Sequence, residues 1–298
     1  MATVDFDFDS MREAAMGVLG TAQQGINSFA IENLPFVSGF TRMCNDGWLQ
    51  GWHERNGGNL TYRLSEKDVE AARPFFDEPR EWHEIGVALP NLAGEYFVAT
   101  GSGKYLRNVA LDPEANIGIC ELDEKGERWR VVWGLPGSVP TSEFPTHLMN
   151  HSVRKRVTGG ANRVIYHCHA TNVIALTYVL PLTDRDFTRA LWQSATECPV
   201  VFPEGVGVVP WMVPGGVDIA RATSKKMETY QAAIWAMHGL FVSGPDFDAA
   251  FGLAHTIEKS ADVYVRVLSC GGVRQTITDD DLRAIAHDFG VTLNPAML

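Results

Sequence analysis

The chain has 298 residues, of which 45% are hydrophobic and 20% are charged, so it carries enough apolar side chains for a globular core. This composition excludes an intrinsically disordered, collagen-like or coiled-coil protein. The formal net charge of -11, from 25 Lys and Arg against 36 Asp and Glu, argues against nucleic acid as a partner.

The sequence predicts a cytoplasmic protein that does not enter a membrane. Its five cysteines form no CxxC motif and no regular set of spacings, which favours a reducing compartment over a disulfide framework. The acidic N-terminus lacks the basic start and apolar run of a signal peptide. The most apolar stretch, residues 173–182, has about half of the roughly 20 residues needed to span a bilayer.

The first half of the chain is predicted to alternate between helices and strands. A helical arm over residues 1–30 precedes a helix over residues 35–52, a turn at Gly57 and Gly58, and a strand at residues 60–64. A strand at residues 95–100 runs into a second glycine turn at 101–104. Residues 116–121 and 128–133 are predicted to form a hairpin.

The second half continues this alternation. Thr141 and Ser142 open a short predicted helix with Glu143 in its first turn. A strand at residues 164–166 ends in the sequence His-Cys-His at 167–169, and a helix begins near Thr171. Buried strands are predicted at 199–209 and 232–242 with a helix at 217–229 between them, and two amphipathic helices at 246–268 and 278–289 follow.

The interleaved signals predict one mixed α/β domain, in which helices cover a central sheet. No linker divides residues 31–298, which we expect to form the catalytic domain beyond the arm at 1–30. The GxGxxG, GxxxxGK[ST] and GxSxG motifs are absent from the sequence, so nucleotide binding and serine hydrolysis have little support.

Three histidines form a candidate metal site. His167 and His169 are two positions apart at a strand end, so both imidazoles are expected on one face. His238 is predicted near the middle of another strand, beside a glycine. Three such ligands are typical of catalytic zinc, and histidines satisfied by local hydrogen bonds are the alternative. The other six, at positions 53, 83, 147, 151, 255 and 287, are predicted to form no comparable group.

Glu143 permits two interpretations. A carboxylate in the first turn of a helix is stabilised by the helix dipole, whereas a carboxylate beside a metal can act as a general base. Burial against Phe144 and Pro145 would raise its pKa and a nearby cation would lower it, so the sequence leaves the direction open.

The two glycine turns are candidates for anion binding. Their successive N–H groups could hold an anion, with side-chain hydrogen bonds from Asn56, Asn59 and Ser102. Asn-Gly is also a common hairpin turn, so ordinary turns are the alternative. Arg55 and Lys104 could supply charge or be solvated.

Taken together and in order, six segments resemble the class II aldolase and adducin-like family. They are ERNGGNL at 54–60, TGSGK at 100–104, VPTSE at 139–143, HCHATN at 167–172, TEC at 196–198 and HG at 238–239. The resemblance runs from about residue 35 to the C-terminus and implies a central sheet between two helical layers (α/β/α). It also implies a homotetramer with its sites at subunit contacts.

The resemblance implies an enzyme with one Zn²⁺ per subunit and a small phosphorylated ketose as substrate. Its expected activity is reversible cleavage of L-rhamnulose 1-phosphate to dihydroxyacetone phosphate and L-lactaldehyde through a metal-stabilised enediolate. The implied zinc ligands are His167, His169 and His238. The implied catalytic carboxylates are Glu143 and, from an adjoining subunit, Glu197. The implied phosphate contacts are Asn56, Asn59, Ser102, Gly103, Thr141 and Ser142.

Other members of the family leave alternatives open. Aldolases or epimerases that act on fuculose or ribulose phosphate share the histidine arrangement, and adducin-like proteins use the fold as a non-catalytic scaffold. The predicted hairpin at 116–134 and the length of the chain favour the rhamnulose branch, and the retained histidines and Glu143 argue against a scaffold.

Overall fold

The protein is built on one nine-stranded sheet in the computed structural model, which describes residues 30–298. The strands are β1 (Asn59–Arg63), β2 (His83–Glu84), β3 (Tyr96–Thr100), β4 (Ile117–Leu122), β5 (Arg128–Gly134), β6 (Val164–Cys168), β7 (Gly207–Val209), β8 (Ala232–Trp235) and β9 (Gly239–Gly244). Their order across the sheet is β2-β5-β4-β3-β1-β6-β9-β8-β7. All neighbours are antiparallel except β7 and β8, which are parallel.

Helices cover both faces of this sheet. They are Pro35–Leu49, Glu66–Ala72, Pro113–Asn116, Phe144–Val157, Thr171–Leu176, Asp184–Trp192, Cys198–Val201, Val217–Lys226, Phe247–Ser269 and Asp279–Phe289. Short 3-10 helices occur at Ile31–Asn33, Arg73–Phe75, Pro90–Leu92, Leu106–Asn108 and Pro295–Met297. The predicted mixed α/β domain with a central sheet between helical layers is therefore confirmed.

The strand sequences explain why both faces are covered. Successive side chains of a strand point to opposite faces of the sheet, and buried residues alternate between two cores in β6. Val164 and Tyr166 join the core formed with helices Pro35–Leu49 and Phe247–Ser269, whereas Ile165 joins a core with Val217–Lys226 on the other face. Strands that are apolar on both faces need a layer of helices on each side.

The last two helices of the chain begin at polar N-cap residues. Thr278 and Asp281 form a reciprocal capping box at the start of Asp279–Phe289, and Asp246 caps Phe247–Ser269. Both predicted helices are confirmed to within a residue of their predicted bounds. The predicted arm at 1–30 lies, apart from Ala30, outside the described residues.

Five predicted elements differ from the structure, and one of them is the helix expected at 35–52, which ends at Leu49. The strand expected at 199–209 is a short helix, Cys198–Val201, and a strand only at β7. The strand expected at 232–242 is a hairpin of β8 and β9 whose turn contains His238. The helix expected at 217–229 ends at Lys226, and the helix expected to be short after Ser142 is Phe144–Val157. Apolar runs alone do not separate a strand from a helix or mark a turn.

Within residues 30–298, each helix is too short or too polar to cross a lipid bilayer.

Candidate active site

Six chain segments meet at one end of the sheet around a cavity of about 260 Å³. Antiparallel pairing brings the start of β1 beside the ends of β3 and β6, and the start of β9 beside the end of β6. Both glycine turns, the segment before helix Phe144–Val157 and the histidine segments therefore reach the same place. The lining residues are Asn56, Gly57, Gly58, Asn59, Gly101, Ser102, Gly103, Thr141, Ser142, Glu143, His167, His169, Pro214, Gly215 and His238.

Three imidazoles converge at this cavity. One ring nitrogen from each of His167, His169 and His238 lies within 4.8 Å of the other two. The Nε2 atoms of His167 and His238 are 3.2 Å apart. Three nitrogen donors at this separation can share one divalent cation, which is the donor set of a catalytic zinc site.

His238 reaches this cluster from a turn rather than from the middle of a strand, so the predicted placement is wrong. The turn needs a left-handed backbone at Met237, whose φ is 57°. Gly239 follows, and a Cβ atom there would lie 2.5 Å from the carbonyl oxygen of Cys168. The glycine is thus required because it lets the hairpin approach β6 closely.

Hydrogen bonds outside the cluster fix two of the imidazoles. His167 Nδ1 lies 3.2 Å from the carbonyl oxygen of Leu240, to which it donates. His169 Nδ1 lies 2.6 Å from the carboxylate of Glu54. An imidazole whose Nδ1 carries the proton has a free lone pair on Nε2, so both rings are oriented as metal ligands usually are.

The environment favours the neutral form of two of these histidines. Burial lowers the pKa of His167 well below its usual value, and positive charge on His169 and His238 would lower it further. Burial, followed by the same repulsion from His169, lowers the pKa of His238 to about 4. Neutral imidazoles bind metal ions without first releasing a proton.

Glu143 lies beside the cluster as the N-cap of helix Phe144–Val157 and not in its first turn. Its side chain is buried, with Oε2 lying 3.8 Å from Nε2 of His167 and accepting a 2.8 Å hydrogen bond from Asn59 Nδ2. Burial raises the pKa of Glu143, although the Asn59 hydrogen bond and the proximity of His169 oppose this. The pKa direction that the sequence left open is therefore upward in the protein without a bound ion.

All six predicted phosphate contacts line the cavity: Asn56, Asn59, Ser102, Gly103, Thr141 and Ser142. Gly103 has a φ of 68°, which a side chain would strain. Neither Arg55 nor Lys104 lines the cavity. In the described part of the chain an anion here would therefore meet hydroxyls, amides and backbone N–H groups rather than a cationic side chain.

Glu197 is not brought to this cavity by its own chain. It is exposed at the N-cap of the short helix Cys198–Val201. Its expected contribution to the site of an adjoining subunit stays a prediction.

Some residues around the site were missed by sequence reasoning. Glu54 belongs to the segment ERNGGNL at 54–60. Its contact with His169 joins positions 115 residues apart, so no local pattern in the sequence indicates it. His147 and His151 were expected to form no comparable group. They form no metal cluster, but both bind Thr61 inside the protein. Their i, i+4 spacing on one helix was the available signal that they face the same way.

Comparison with known proteins places this site in a family. Residues 39–265 match the model of the class II aldolase and adducin N-terminal domain. The chain is 52% identical to a rhamnulose-1-phosphate aldolase of Klebsiella pneumoniae over 258 residues, which are 86% of this chain and 93% of the relative. It is 51% identical to a rhamnulose-1-phosphate aldolase of Mannheimia succiniciproducens over 264 residues, covering 88% of this chain and 97% of the relative.

A solved structure agrees with this assignment. A sugar-phosphate aldolase from Thermotoga maritima superposes with a TM-score of 0.67 at 28% identity, covering 78% of this chain and 94% of that chain.

Proposed function

This chain belongs to the class II aldolase and adducin N-terminal domain family, and we infer that it reversibly cleaves L-rhamnulose 1-phosphate to dihydroxyacetone phosphate and L-lactaldehyde. The observation that carries this inference is identity of about half over nearly the whole length of two rhamnulose-1-phosphate aldolases. The cavity agrees with it, since three imidazoles, a buried carboxylate and two polar turns share one space. A non-catalytic member of the family would not need three imidazoles, a buried carboxylate and two polar turns in one cavity.

His167, His169 and His238 would hold the metal ion, for which we propose zinc at one per chain. Three imidazole nitrogen donors with an open side toward a cavity fit zinc better than magnesium or calcium, which prefer oxygen ligands. When bound, such an ion supplies a Lewis acid that polarises the ketone carbonyl of the substrate.

Glu143 is the proposed proton-transfer group at carbon. Cleavage moves the electron pair of the C3–C4 bond onto C3, while the C4 hydroxyl passes its proton to solvent water in the open cavity as the aldehyde forms. The three-carbon fragment must then gain a proton at C3, which a protonated Glu143 can donate. Its raised pKa and its position next to His167 suit this task, because a higher pKa lets a carboxyl group hold the proton that it later donates.

The polar turns are the proposed binding site for the substrate phosphate. Ser102, Thr141 and Ser142 offer hydroxyl donors, and Asn56 offers an amide at the same cavity. Contacts to the phosphate lie away from the bond that breaks, so they orient the substrate relative to His167 and Glu143. Backbone and hydroxyl donors can bind a phosphate even though the chain as a whole is acidic.

We propose further that the enzyme works in the cytoplasm as a homotetramer. Glu197 supports the assembly, because the residue is exposed and lies outside its own cavity, where it is free to reach a neighbouring site. In that arrangement Glu197 would orient the aldehyde end of the substrate in the site of the adjoining subunit.

An assay of purified, zinc-loaded protein on three sugar phosphates tests the activity. We expect L-lactaldehyde from L-rhamnulose 1-phosphate with a higher kcat/KM than from L-fuculose 1-phosphate, and little turnover of ribulose phosphate. A preference for fuculose 1-phosphate or for epimerisation would move the protein to another branch of the family. Absence of turnover with all three substrates would contradict an aldolase.

A further inference from the structure

A chain of buried hydrogen bonds runs from the interior of the protein to Glu143. Asn59 Nδ2 contacts Glu143 Oε2 at 2.8 Å, and the other end of the same amide, Oδ1, is hydrogen-bonded to His147 Nε2. Thr61 Oγ1 lies 2.8 Å from His147 Nδ1 and 2.8 Å from His151 Nε2. The side chains of Thr61, His147 and His151 are fully buried and do not line the cavity.

The direction of every hydrogen bond in this chain follows from the carboxylate at its end. Once Glu143 has donated its proton it is ionised and only accepts, so in that state Asn59 must present its NH₂ group to Glu143 and its oxygen to His147. His147 Nε2 therefore carries a proton, and its Nδ1 accepts the hydroxyl proton of Thr61. Because that hydroxyl has one proton, His151 Nε2 must donate to the Thr61 oxygen.

Two independent observations agree with this polarity. It leaves His151 Nδ1 as an unprotonated acceptor, and this atom is buried without a hydrogen-bond partner in the described structure. It also requires neutral rings, and burial lowers the pKa of His147 to about 3 and that of His151 well below its usual value.

We propose that His147 is a positioning residue that fixes the amide of Asn59 so that its N–H points at Glu143. The residue acts through Asn59 and does not touch the cavity. Without His147, the amide of Asn59 could rotate and present its oxygen to the carboxylate, which repels it. Thr61, which is itself hydrogen-bonded to His151, holds His147 in one tautomer and one orientation.

This inference deepens the proposed function, since it rests on Glu143 as the proton-transfer group. It also gives Asn59 a second task. One amide hydrogen of Asn59 binds Glu143, which leaves the other for the predicted phosphate contact. Asn59 would then couple the position of the substrate to the position of the acid.

The test compares two substitutions at position 147. Gln carries an N–H donor near the place of imidazole Nε2, so His147→Gln should keep kcat within about 3-fold of the wild type. His147→Leu removes the donor, and kcat should fall by about 10- to 100-fold, since a misplacement of 1 Å can reduce a rate by about 10²-fold. Zinc content should stay unchanged in both variants, because the metal does not touch His147. KM should rise only in His147→Leu, because the rotated amide of Asn59 would also lose its proposed phosphate contact.

A second pair at Thr61 covers the case in which His147→Leu does not fold. Thr61→Ser keeps the hydroxyl and should keep kcat. Thr61→Val has nearly the same shape without the hydroxyl and should lower kcat several-fold. Equal kcat for Thr61→Val and Thr61→Ser, or a folded His147→Leu protein with wild-type kcat, would overturn the proposal.

Crystal structures separate this inference from the proposed function. If the wild-type protein did not cleave rhamnulose 1-phosphate, the proposed function would fail on its own. The positioning claim would then be decided by neutron crystal structures of the wild type and His147→Leu, in which the amide hydrogens distinguish Nδ2 from Oδ1. The contact between Asn59 Nδ2 and Glu143 should be present in the first and lost in the second, and its retention in both would overturn the claim.

Discussion

The carboxylate of Glu143 and the imidazole of His167 face each other across 3.8 Å, although the two residues come from the start of a helix and the end of a strand. Both side chains are buried, so their interaction is weakly screened by solvent. The proposed proton-transfer group thus lies next to the nitrogen donors of the proposed metal site. In the proposed mechanism, Glu143 and the metal ion would therefore both act at the C3–C4 bond of the substrate.

Replacement of Glu143 by Gln should slow cleavage without emptying the metal site. Gln cannot transfer a proton, and a general acid or base contributes about 10²- to 10⁴-fold to a rate. We expect kcat to fall within that range while zinc content, measured by elemental analysis, stays at the wild-type level. Glu70→Ala is a matched control, because Glu70 is exposed on helix Glu66–Ala72. A wild-type rate for Glu143→Gln would remove Glu143 from the mechanism.

Loss of Glu54 should weaken metal binding. Its carboxylate accepts from Nδ1 of His169 at 2.6 Å and so holds the ring in its metal-binding orientation. Removal of such a partner usually lowers metal affinity by about 10- to 100-fold. Competition with a fluorescent chelator would measure this for Glu54→Ala beside Glu70→Ala. Equal zinc affinities in the two variants would show that His169 needs no such support.

Substitution of Ser102 should affect binding of the phosphate end more than the chemical step. A hydrogen bond to a charged group contributes about 1.5–3 kcal/mol, so Ser102→Ala should raise KM by roughly 10- to 100-fold with little change in kcat. Inhibition by inorganic phosphate should weaken in parallel. Ser269→Ala, at an exposed helix end, should change neither quantity. A fall in kcat alone would place Ser102 away from the phosphate.

Acid should destabilise the fold through its buried histidines. Burial lowers the pKa of His53 to about 4 and that of His147 to about 3, against 6.5 in the unfolded chain. Between these values the unfolded chain binds more protons than the folded one, so the free energy of unfolding decreases as pH falls below about 6.5. The titration of each of these two histidines should lower the free energy of unfolding by roughly 2 kcal/mol between pH 7 and pH 5.

Urea unfolding of metal-free protein at pH 7 and pH 5 would measure this effect without metal release. His147→Gln should reduce the loss of stability between the two pH values, because Gln does not titrate. His287→Gln, at an exposed histidine, should leave the loss as it is in the wild type. An equal loss of stability in both variants would mean that titration of His147 does not contribute to the acid destabilisation.

The sequence predicted those parts of the protein that local chemistry determines. The caps at Asp246 and Thr278 mark their helices because a side chain three residues from its target can satisfy the first N–H groups. The spacing of His167 and His169 likewise follows from the period of a strand. All predicted cavity residues apart from Glu197 meet in the structure, although their roles stay predictions.

Contacts between distant segments could not be predicted in this way. The turn at Met237 interrupts a continuous apolar run, and only the pairing of β9 with β6 shows why it must be there. The contact of Asn59 with His147 joins positions 88 residues apart, so no local pattern reveals it. Such contacts arise from the order of strands in the sheet, which patterns of apolar residues do not specify.

Zinc reloading of metal-free protein tests whether cleavage depends on an ion bound by the three histidines. Purified protein would be stripped with a chelator and titrated with Zn²⁺, while bound metal and the rate of L-lactaldehyde release from L-rhamnulose 1-phosphate are measured together. We predict no cleavage by the stripped protein and a rate that rises in proportion to bound zinc until one ion per chain is present. The stripped His238→Ala variant should not recover its cleavage rate when zinc is added. A full rate in metal-free protein, or full recovery of His238→Ala, would contradict this dependence.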